Sequence, residues 1–453
     1  MNNNLRKYGA LGAAFGTAFL LAACSTGPTA GSASGPVPTL APDEKVEIVF
    51  ESYNLATSGA TADAVLGLIA DFEAENPNIT VKTQASLSAS TGAGGTAASV
   101  QQQVLAGSAP DVVQMTFDTL NYAVNELGAK PLSTVFGEDA VAEALGGEYP
   151  MNESVVDFGT VDDVTYGIPY VLSTPVFFYN ETALEAAGLP SDVDLSTWDS
   201  VADAAAAVTA QTGKPSLSIS CTDPVGLWCM QSILRSNDGR VLSEDGSTIE
   251  FGDAAAVAAV QKLRDLFDQG VLQNADFAGQ MESFSRGETV MHLDSSALQS
   301  SFSAAAAAGG WTLADSVMPG FEGETVVPTS SGSALYMFSD EPAEQAAAWK
   351  LIQFMTGAHA YEEISTKIGY LPLRSTLTEE GAPLGEWAAS NTLLAPNLAQ
   401  LDVLEPWVSY PGNNYVQVDT ILADAVSNAI YFGADPEEAM TEAAARAQEL
   451  IEK

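Results

Sequence analysis

The side chains best suited to metal or nucleophilic chemistry are few in this sequence. Its 453 residues include three cysteines, Cys24, Cys221 and Cys229, and two histidines, His292 and His359. The histidines are far apart and neither has a ligand partner at a characteristic spacing, so we predict no metal site. Cys221 and Cys229 are close in sequence, and in an oxidising compartment this spacing predicts a short-loop disulfide.

Motifs of hydrolytic enzymes are missing as well. The sequence contains neither a Gly-x-Ser-x-Gly nucleophile elbow nor a His-Glu-x-x-His zinc motif. A glycoside hydrolase needs only two carboxylates that face one bond, and 58 acidic residues leave that alternative open. We nevertheless expect a protein that is not an enzyme and that carries no cofactor.

The N-terminal segment indicates the compartment. Residues 1–23 read as a signal peptide, in which Arg6 and Lys7 precede an apolar run too short to span a bilayer comfortably. The run ends in Leu-Ala-Ala-Cys at Cys24, which resembles the lipobox of bacterial lipoproteins and implies lipid attachment to this sulfur. An ordinary secretory signal that happens to contain a cysteine is the alternative. Residues 24–44, rich in small and polar types, are interpreted as a flexible tether that holds the rest of the chain at the outer face of the cell membrane.

Composition and length limit which partners the protein can bind and how many lobes it forms. The 58 acidic and 16 basic residues give a formal net charge of −42. Nucleic acid is excluded as a partner, because phosphate neutralisation needs a basic face. We interpret the acidity as a solvated surface that keeps a secreted monomer soluble. About 410 residues follow the tether, too many for one compact core and consistent with two lobes.

Strand and helix patterns alternate in this part of the chain. Predicted strands cover residues 46–50, 79–83 and 111–115. Val65, Ile69 and Phe72 lie on one face of a helix between the first two strands. This βαβαβ order is typical of an α/β protein with a mostly parallel sheet flanked by helices, in which ligands bind beyond the carboxyl ends of the strands.

Further segments are assigned on local signals. Pro169–Asn180, an extended stretch bracketed by two prolines, is interpreted as a crossing between lobes. Additional helices are predicted at residues 201–209 after the caps Ser196 and Thr197, at 254–267, at 343–355, and from Asp435 onward with proline at the first helical position.

Several short segments match one family in order and spacing. They are Phe72–Pro77, Gly107–Asp111, Ser173–Asn180, Thr197–Asp199 and Gly369–Pro372. Together they resemble the extracellular solute-binding proteins of family 1, in the branch of the glycerol-3-phosphate-binding protein. The resemblance implies a periplasmic-binding-protein-like fold of type II, with two α/β lobes, a hinge, a cleft, and docking of the closed form on the permease of an ABC importer. We place the first lobe at residues 45–172 and 297–356, and the second at 173–296 and 357–453.

The same resemblance implies a set of ligand-binding residues. The positions that match are Ser173, Trp228, Asp294, Ser295, Ser296, Ser331, Gly332 and Tyr370, with Asp118 as a shifted acidic candidate after the third strand. The remaining tryptophans considered, Trp198, Trp349 and Trp387, are expected to be structural.

One position departs from the branch, in which an arginine shortly before a Gly-Asn step holds the ligand's phosphate. Here Tyr410 precedes Gly412 and Asn413. A tyrosine offers one neutral hydrogen bond and a flat ring, whereas phosphate prefers a charge-assisted partner. We therefore expect a neutral sugar or oligosaccharide, with glycerol 3-phosphate or a glycerophosphodiester as the alternative ligand.

Overall fold

The structure is a computed structural model that describes residues 36–56, 59–86 and 93–451. Its strands are β1 (Val46–Ser52), β2 (Ile79–Ala85), β3 (Val112–Thr116), β4 (Thr160–Val161), β5 (Val164–Thr165), β6 (Gly167–Ser173), β7 (Pro175–Asn180), β8 (Leu217–Ile219), β9 (Met291–Ser295), β10 (Leu313–Val317) and β11 (Ser331–Met337). Its helices are α1 (Ala60–Glu75), α2 (Ala93–Leu105), α3 (Leu120–Tyr122), α4 (Leu132–Phe136), α5 (Glu138–Leu145), α6 (Glu181–Ala186), α7 (Trp198–Thr212), α8 (Leu227–Arg235), α9 (Ala254–Asp268), α10 (Phe277–Ser285), α11 (Gln299–Gly309), α12 (Pro342–Met355), α13 (Ala358–Lys367), α14 (Gly385–Ser390), α15 (Leu394–Ala399), α16 (Tyr415–Tyr431) and α17 (Pro436–Ile451).

Two sheets form the centres of two lobes. The first has the strand order β2-β1-β3-β11-β6, and the second has the order β10-β7-β9-β8. In the first sheet β11 runs antiparallel to its neighbours β3 and β6, while β1 pairs in parallel with β2 and β3. In the second sheet β7 runs antiparallel to β9 and β10, while β8 and β9 are parallel. Each sheet thus has a single reversed strand, so both sheets are mixed in their pairings, whereas we had predicted mostly parallel sheets.

The reversed strands are those that the chain enters from the other lobe. β7 begins two residues after β6 ends, and Ser331 at the start of β11 pairs with Ser173 at the end of β6. A strand that starts at the interlobe edge must run antiparallel to the neighbouring strands that end at that edge. The carboxyl ends of the other strands in both sheets therefore lie at the edge where the lobes meet, which is where ligands bind in open α/β sheets.

The helices confirm most of the local sequence signals. Val65, Ile69 and Phe72 are buried on one face of α1. Thr197 and Ser200 form a capping box at the start of α7. Asp435 caps α17 by accepting a hydrogen bond from the Glu438 N–H at 3.0 Å. The predicted helices at 254–267 and 343–355 correspond to α9 and α12 within one residue at either end.

The strand pairing corrects the predicted lobe boundaries in two places. β10 was assigned to the first lobe, but it pairs with β7 in the second sheet. Residues just after 356 were assigned to the second lobe, but Arg374 donates hydrogen bonds to the carbonyls of Gly146 and Thr356, both in the first lobe, at 2.8 Å each. The reason is that both later crossings come further along the chain than we predicted: the second lies between β10 and β11, and the third follows Arg374.

Covalent and membrane features complete the description. Cys221 and Cys229 form the predicted disulfide, which ties the turn after β8 to α8. Cys24, the predicted lipidation site, lies outside the described residues. Within the described ranges no helix is both long and apolar enough to cross a membrane, and no group of three or more His, Cys, Asp or Glu side chains is arranged to hold a metal ion.

Candidate functional site

The carboxyl edge of the first sheet carries a group of tyrosines and small polar side chains. The Tyr53 hydroxyl donates to Ser333 Oγ at 3.2 Å, and Gln114 Nε2 donates to the same oxygen at 2.9 Å. Tyr370, a predicted ligand residue, lies beside Tyr53, and burial raises the pKa of both phenols. The hydroxyl of Tyr336, behind this group, has no hydrogen-bond partner among the described residues.

Asp118 is the most unusual side chain at this edge. It follows β3 in a short turn and is 2% exposed, yet neither carboxylate oxygen has a hydrogen-bond partner among the described residues. Burial raises the pKa of Asp118 to about 7, although the Thr116 side chain and nearby backbone N–H groups partly oppose the shift. A buried carboxylate without a partner is costly, so this position suggests that a group outside the chain is meant to bind it.

The second lobe faces Asp118 with α16 and the loop before it. The rings of Tyr122 in the first lobe and Tyr415 in α16 are 5.4 Å apart. Asp419, one turn further along α16, has a pKa raised by burial and by the charge of Asp118. The hydroxyls of Tyr410 and Tyr415 are buried and have no hydrogen-bond partner among the described residues. Side chains from both lobes thus meet in a closed cleft, and several of their polar atoms have no hydrogen-bond partner among the described residues.

The loop that carries Tyr410 is fixed by hydrogen bonds to α8 and to the segment before β11. Gln231 in α8 clasps Val408 by accepting from its N–H at 3.0 Å and donating to its carbonyl at 3.3 Å. The Ser330 N–H donates to the Glu405 carbonyl at 3.0 Å. Because these hydrogen bonds tie the loop to the segment that connects β10 with β11, a movement of that segment would also move the loop.

Three predicted ligand residues, Ser173, Ser295 and Ser296, lie where the end of β9 meets the crossing from β6 to β7. Ser295 Oγ donates to Ser173 Oγ at 2.7 Å, joining the two sheets. The Ser296 hydroxyl accepts from the Thr174 N–H at 3.1 Å, and the Ser296 N–H donates to the Thr174 carbonyl at 2.9 Å. These contacts favour a role in positioning the lobes, and their contact with a ligand stays a prediction.

Asp294, also predicted as a ligand residue, is engaged inside the second lobe. One oxygen is 3.0 Å from His292 Nε2, and the other accepts from the Ser295 N–H at 2.6 Å. His292 Nδ1 is in turn 2.7 Å from Ser218 Oγ. This series contains the residue types of a hydrolase triad, but Ser218 and His292 are fully buried and the ring nitrogens are used in the opposite order. We interpret the series as a structural support for the hinge.

The remaining predicted residues occupy the surrounding walls. Ser331 and Gly332 begin β11, and a Cβ atom on Gly332 would lie 2.2 Å from the Val171 carbonyl oxygen, so glycine is required there by packing. Trp228 lies in α8 and is nearly buried, with its carbonyl accepting from Thr329 Oγ1. The structure thus places Asp118 and Tyr410 in the set of unpartnered polar groups, and Tyr370 beside Tyr53 at the edge of the first sheet.

Sequence reasoning missed several residues of the closed cleft. Trp407, Tyr415 and Asp419 lie in or just after one loop, and Tyr122 comes from the first lobe. The sequence did contain a signal for these residues. The segment that ends at Tyr415 combines two prolines and a glycine with three aromatic residues, Trp407, Tyr410 and Tyr415, and so many aromatic side chains are unusual in a surface loop.

A cavity of about 690 Å³ opens beside this loop. It lies between Asn121 in the first lobe and residues 238–246 in the second, and Val408 and Ser409 form part of its wall. Two arginines line it, and each is paired with an acid, Arg235 with Glu405 and Arg240 with Glu244.

Two α/β lobes joined by crossing strands, with unused polar groups held between them, define a two-lobed binding protein for small solutes. Comparison with known families agrees: this chain belongs to the bacterial extracellular solute-binding proteins, with a match over residues 67–395. The predicted family is thereby confirmed, as is an extracytoplasmic location. No curated protein sequence matches significantly.

Solved structures of the same fold come from several bacteria. UgpB from Mycobacterium tuberculosis, in complex with glycerophosphocholine, has a TM-score of 0.76 and 19% identity over 90% of this chain and 99% of that one. The GacH receptor of Streptomyces glaucescens, studied with acarbose, has a TM-score of 0.75 and 18% identity over 90% and 98%. The cyclic α-maltosyl-1,6-maltose binding protein of Arthrobacter globiformis has a TM-score of 0.73 and 20% identity over 90% and 99%. At these identities the likeness establishes the two-lobed fold.

Proposed function

We propose that this protein is the solute-binding component of an ABC importer, anchored outside the cell by a lipid on Cys24, and that it delivers a saccharide from its cleft to the permease. The anchor rests on the Leu-Ala-Ala-Cys pattern alone. We further propose that the saccharide carries no negative charge, with neutral sugars and oligosaccharides as the simplest members of this class.

The observation that supports a saccharide is the set of buried, unpartnered polar atoms contributed by both lobes. Asp118, Tyr336, Tyr410 and Tyr415 all belong to it. Each such atom costs about 1–3 kcal/mol when left unpaired, and the hydroxyl groups of a sugar can donate to or accept from all of them. The rings of Tyr122 and Tyr415 offer flat faces for the C–H surface of a sugar.

A phosphorylated ligand fits this site poorly. Tyr410 replaces the arginine that holds phosphate in the glycerol-3-phosphate-binding branch. In addition, the carboxyl groups of Asp118 and Asp419 offer no positive charge to a phosphate, and the neighbouring arginines, Arg235 and Arg240, are already paired with acids. A glycerophosphodiester stays the second candidate, because UgpB, one of the similar structures, holds glycerophosphocholine.

Transport would proceed through closure of the lobes. A ligand that contacts Asp118 in one lobe and Tyr415 in the other stabilises the closed form relative to the open one, so binding shifts the population toward closure. The permease would then recognise the closed arrangement of the two surfaces. An enzyme is less well supported, since the Ser218-His292-Asp294 series is buried and oriented unlike a hydrolase triad.

A thermal-shift screen followed by calorimetry tests this proposal. The ligands are mono- and disaccharides, including trehalose and maltose, with glycerol 3-phosphate and glycerophosphocholine as comparison compounds. We expect stabilisation by at least one saccharide, recovery of that saccharide intact after incubation, and no response to glycerol 3-phosphate. Stabilisation by the phosphate compounds alone would reject the saccharide, and chemical conversion of the saccharide would reject a pure binding role.

A further inference from the structure

The charge balance of the cleft is unusual. Asp118 and Tyr122 are four residues apart on one helical stretch of the first lobe, and Tyr415 and Asp419 are four residues apart on α16. Residues with this spacing share a face of a helix. Because the rings of Tyr122 and Tyr415 meet at 5.4 Å, the two carboxylates face the same space from opposite lobes.

No basic side chain in the part of the chain that the structure describes forms an ion pair with these carboxylates. Among the described residues, the two carboxylate oxygens of Asp118 are also buried without a partner that meets hydrogen-bond geometry. The basic residues beside the adjoining cavity, Arg235 and Arg240, are engaged by Glu405 and Glu244. The closed cleft therefore presents two carboxylates and several aromatic rings, and no basic partner.

A neutral sugar could form hydrogen bonds with the polar groups of this site, but it would leave the carboxylates of Asp118 and Asp419 without a counter-charge. Burial raises the pKa of Asp118, and burial together with the charge of Asp118 raises the pKa of Asp419, so the ionised pair is unfavourable until a cation binds beside it. A protonated amine donates three hydrogen bonds, neutralises charge on both carboxylates, and is attracted to the faces of aromatic rings. Carboxylates and rings without a basic residue are the chemistry that recognises an organic cation.

We propose that the saccharide preferred by this cleft carries a protonated amino group, which binds between Asp118 and Asp419 against the rings of Tyr122 and Tyr415. This inference rests on the saccharide proposal and narrows it from saccharides without negative charge to those with a positive charge. It differs from the neutral sugar that we predicted from the sequence. That prediction considered the missing arginine at Tyr410 but not the carboxylate of Asp419. The amino sugar is the ligand class to which we commit.

Matched ligand pairs test the amino group directly. Calorimetric affinities at pH 6.5 are measured for glucosamine, galactosamine and the β-1,4-linked glucosamine disaccharide, each against its counterpart with a hydroxyl in place of the amine. We expect the amine to bind at least about tenfold more tightly in one or more pairs, the size of a charge-assisted contact with a desolvated carboxylate. Raising the salt concentration should reduce this preference.

Two variants on one helix provide the control. In Asp419→Asn the preference for the amine should fall to about twofold or less, whereas Asp424→Asn, which removes an exposed carboxylate from the same helix, should keep it. Since Asp419 is only half-buried, its amide variant should fold, and an unchanged melting temperature confirms that.

The outcomes separate this inference from the proposed function. If the hydroxyl counterpart binds as tightly as the amine in every pair, the amino group is refuted and the saccharide proposal stands. If no saccharide of either kind binds, both are refuted. Binding of glycerophosphocholine alone would also refute the amino sugar and select the glycerophosphodiester.

Discussion

Replacing Asp118 with asparagine tests whether the carboxylate is held in a desolvated, closed cleft when no ligand is bound. The pKa of Asp118 is raised from 3.8 to about 7 in the folded protein, with burial as the largest cause. Between these two values the folded chain holds a proton that the unfolded chain has released. The contribution of Asp118 to the free energy of unfolding therefore falls as the pH rises from about 4 to about 7, and it is constant above that range.

The magnitude follows from the size of the shift. A difference of about three pKa units corresponds to about 4 kcal/mol at 1.36 kcal/mol per unit. This figure is an upper bound, because opening of the lobes would hydrate the carboxylate and relieve part of the penalty. Asp118→Asn should thus equal the wild type in stability near pH 4 and exceed it above pH 7.5, by a margin of about 1–4 kcal/mol.

The assay is urea unfolding of the unliganded protein at several pH values between 4 and 8.5, followed by circular dichroism. Asp424→Asn, the exposed carboxylate on α16, is the control and should follow the wild-type curve. Parallel pH dependences for wild type and Asp118→Asn would mean that Asp118 is hydrated in the free protein, and the closed cleft would then not be the resting state in solution.

Three further predictions concern the walls of the cleft and the stability of the lobes. Trp228→Ala and Tyr370→Ala should each bind the saccharide about tenfold more weakly by calorimetry, the buried Trp228 variant also with a lower melting temperature, and unchanged affinity in both would remove these residues from the site. Replacing Cys221 and Cys229 together with serine should lower the free energy of unfolding by about 2.5 kcal/mol in denaturant titrations, from the loop entropy of an eight-residue separation; no loss would show that the disulfide is dispensable. Gly332→Ala should cost about 1–3 kcal/mol in the same titrations, because its Cβ would meet a carbonyl oxygen at 2.2 Å, and a neutral effect would indicate that the neighbouring strand can move aside.

Local sequence signals were sufficient for several elements of the fold. The strand at Val46 and the buried face of α1 follow from periodicity, since alternation and 3.6-residue spacing are local properties. The capping box at Thr197 likewise depends on neighbours within one turn. Lobe membership was harder, because β10 joins the second sheet through pairing with β7, and such a pairing leaves no trace in the composition of either strand.

The predicted site divides in the same way. Ser173 and Ser295 were located through family resemblance, yet the contact between them shows a hinge at that point, a relation that depends on how two distant strands end. Gly332 was predicted as a ligand residue. In the structure, glycine is needed at this position because the Val171 carbonyl leaves no room for a Cβ atom. Resemblance therefore named residues that the structure places where the two sheets meet, and their contact with a ligand stays a prediction.

Asp118 shows most clearly what tertiary structure adds. From the sequence it was the weaker acidic candidate, placed only by its position after the third strand. Its partner, Asp419, is some 300 residues further along the chain, on a helix that no motif connected with the ligand. Closure of the lobes brings the two carboxyl groups together, and under our proposal this pair offers a counter-charge to a cation and none to a phosphate. The specificity of this protein is therefore a property of the closed state, so ligand screens should compare charges at matched shape and not shapes alone.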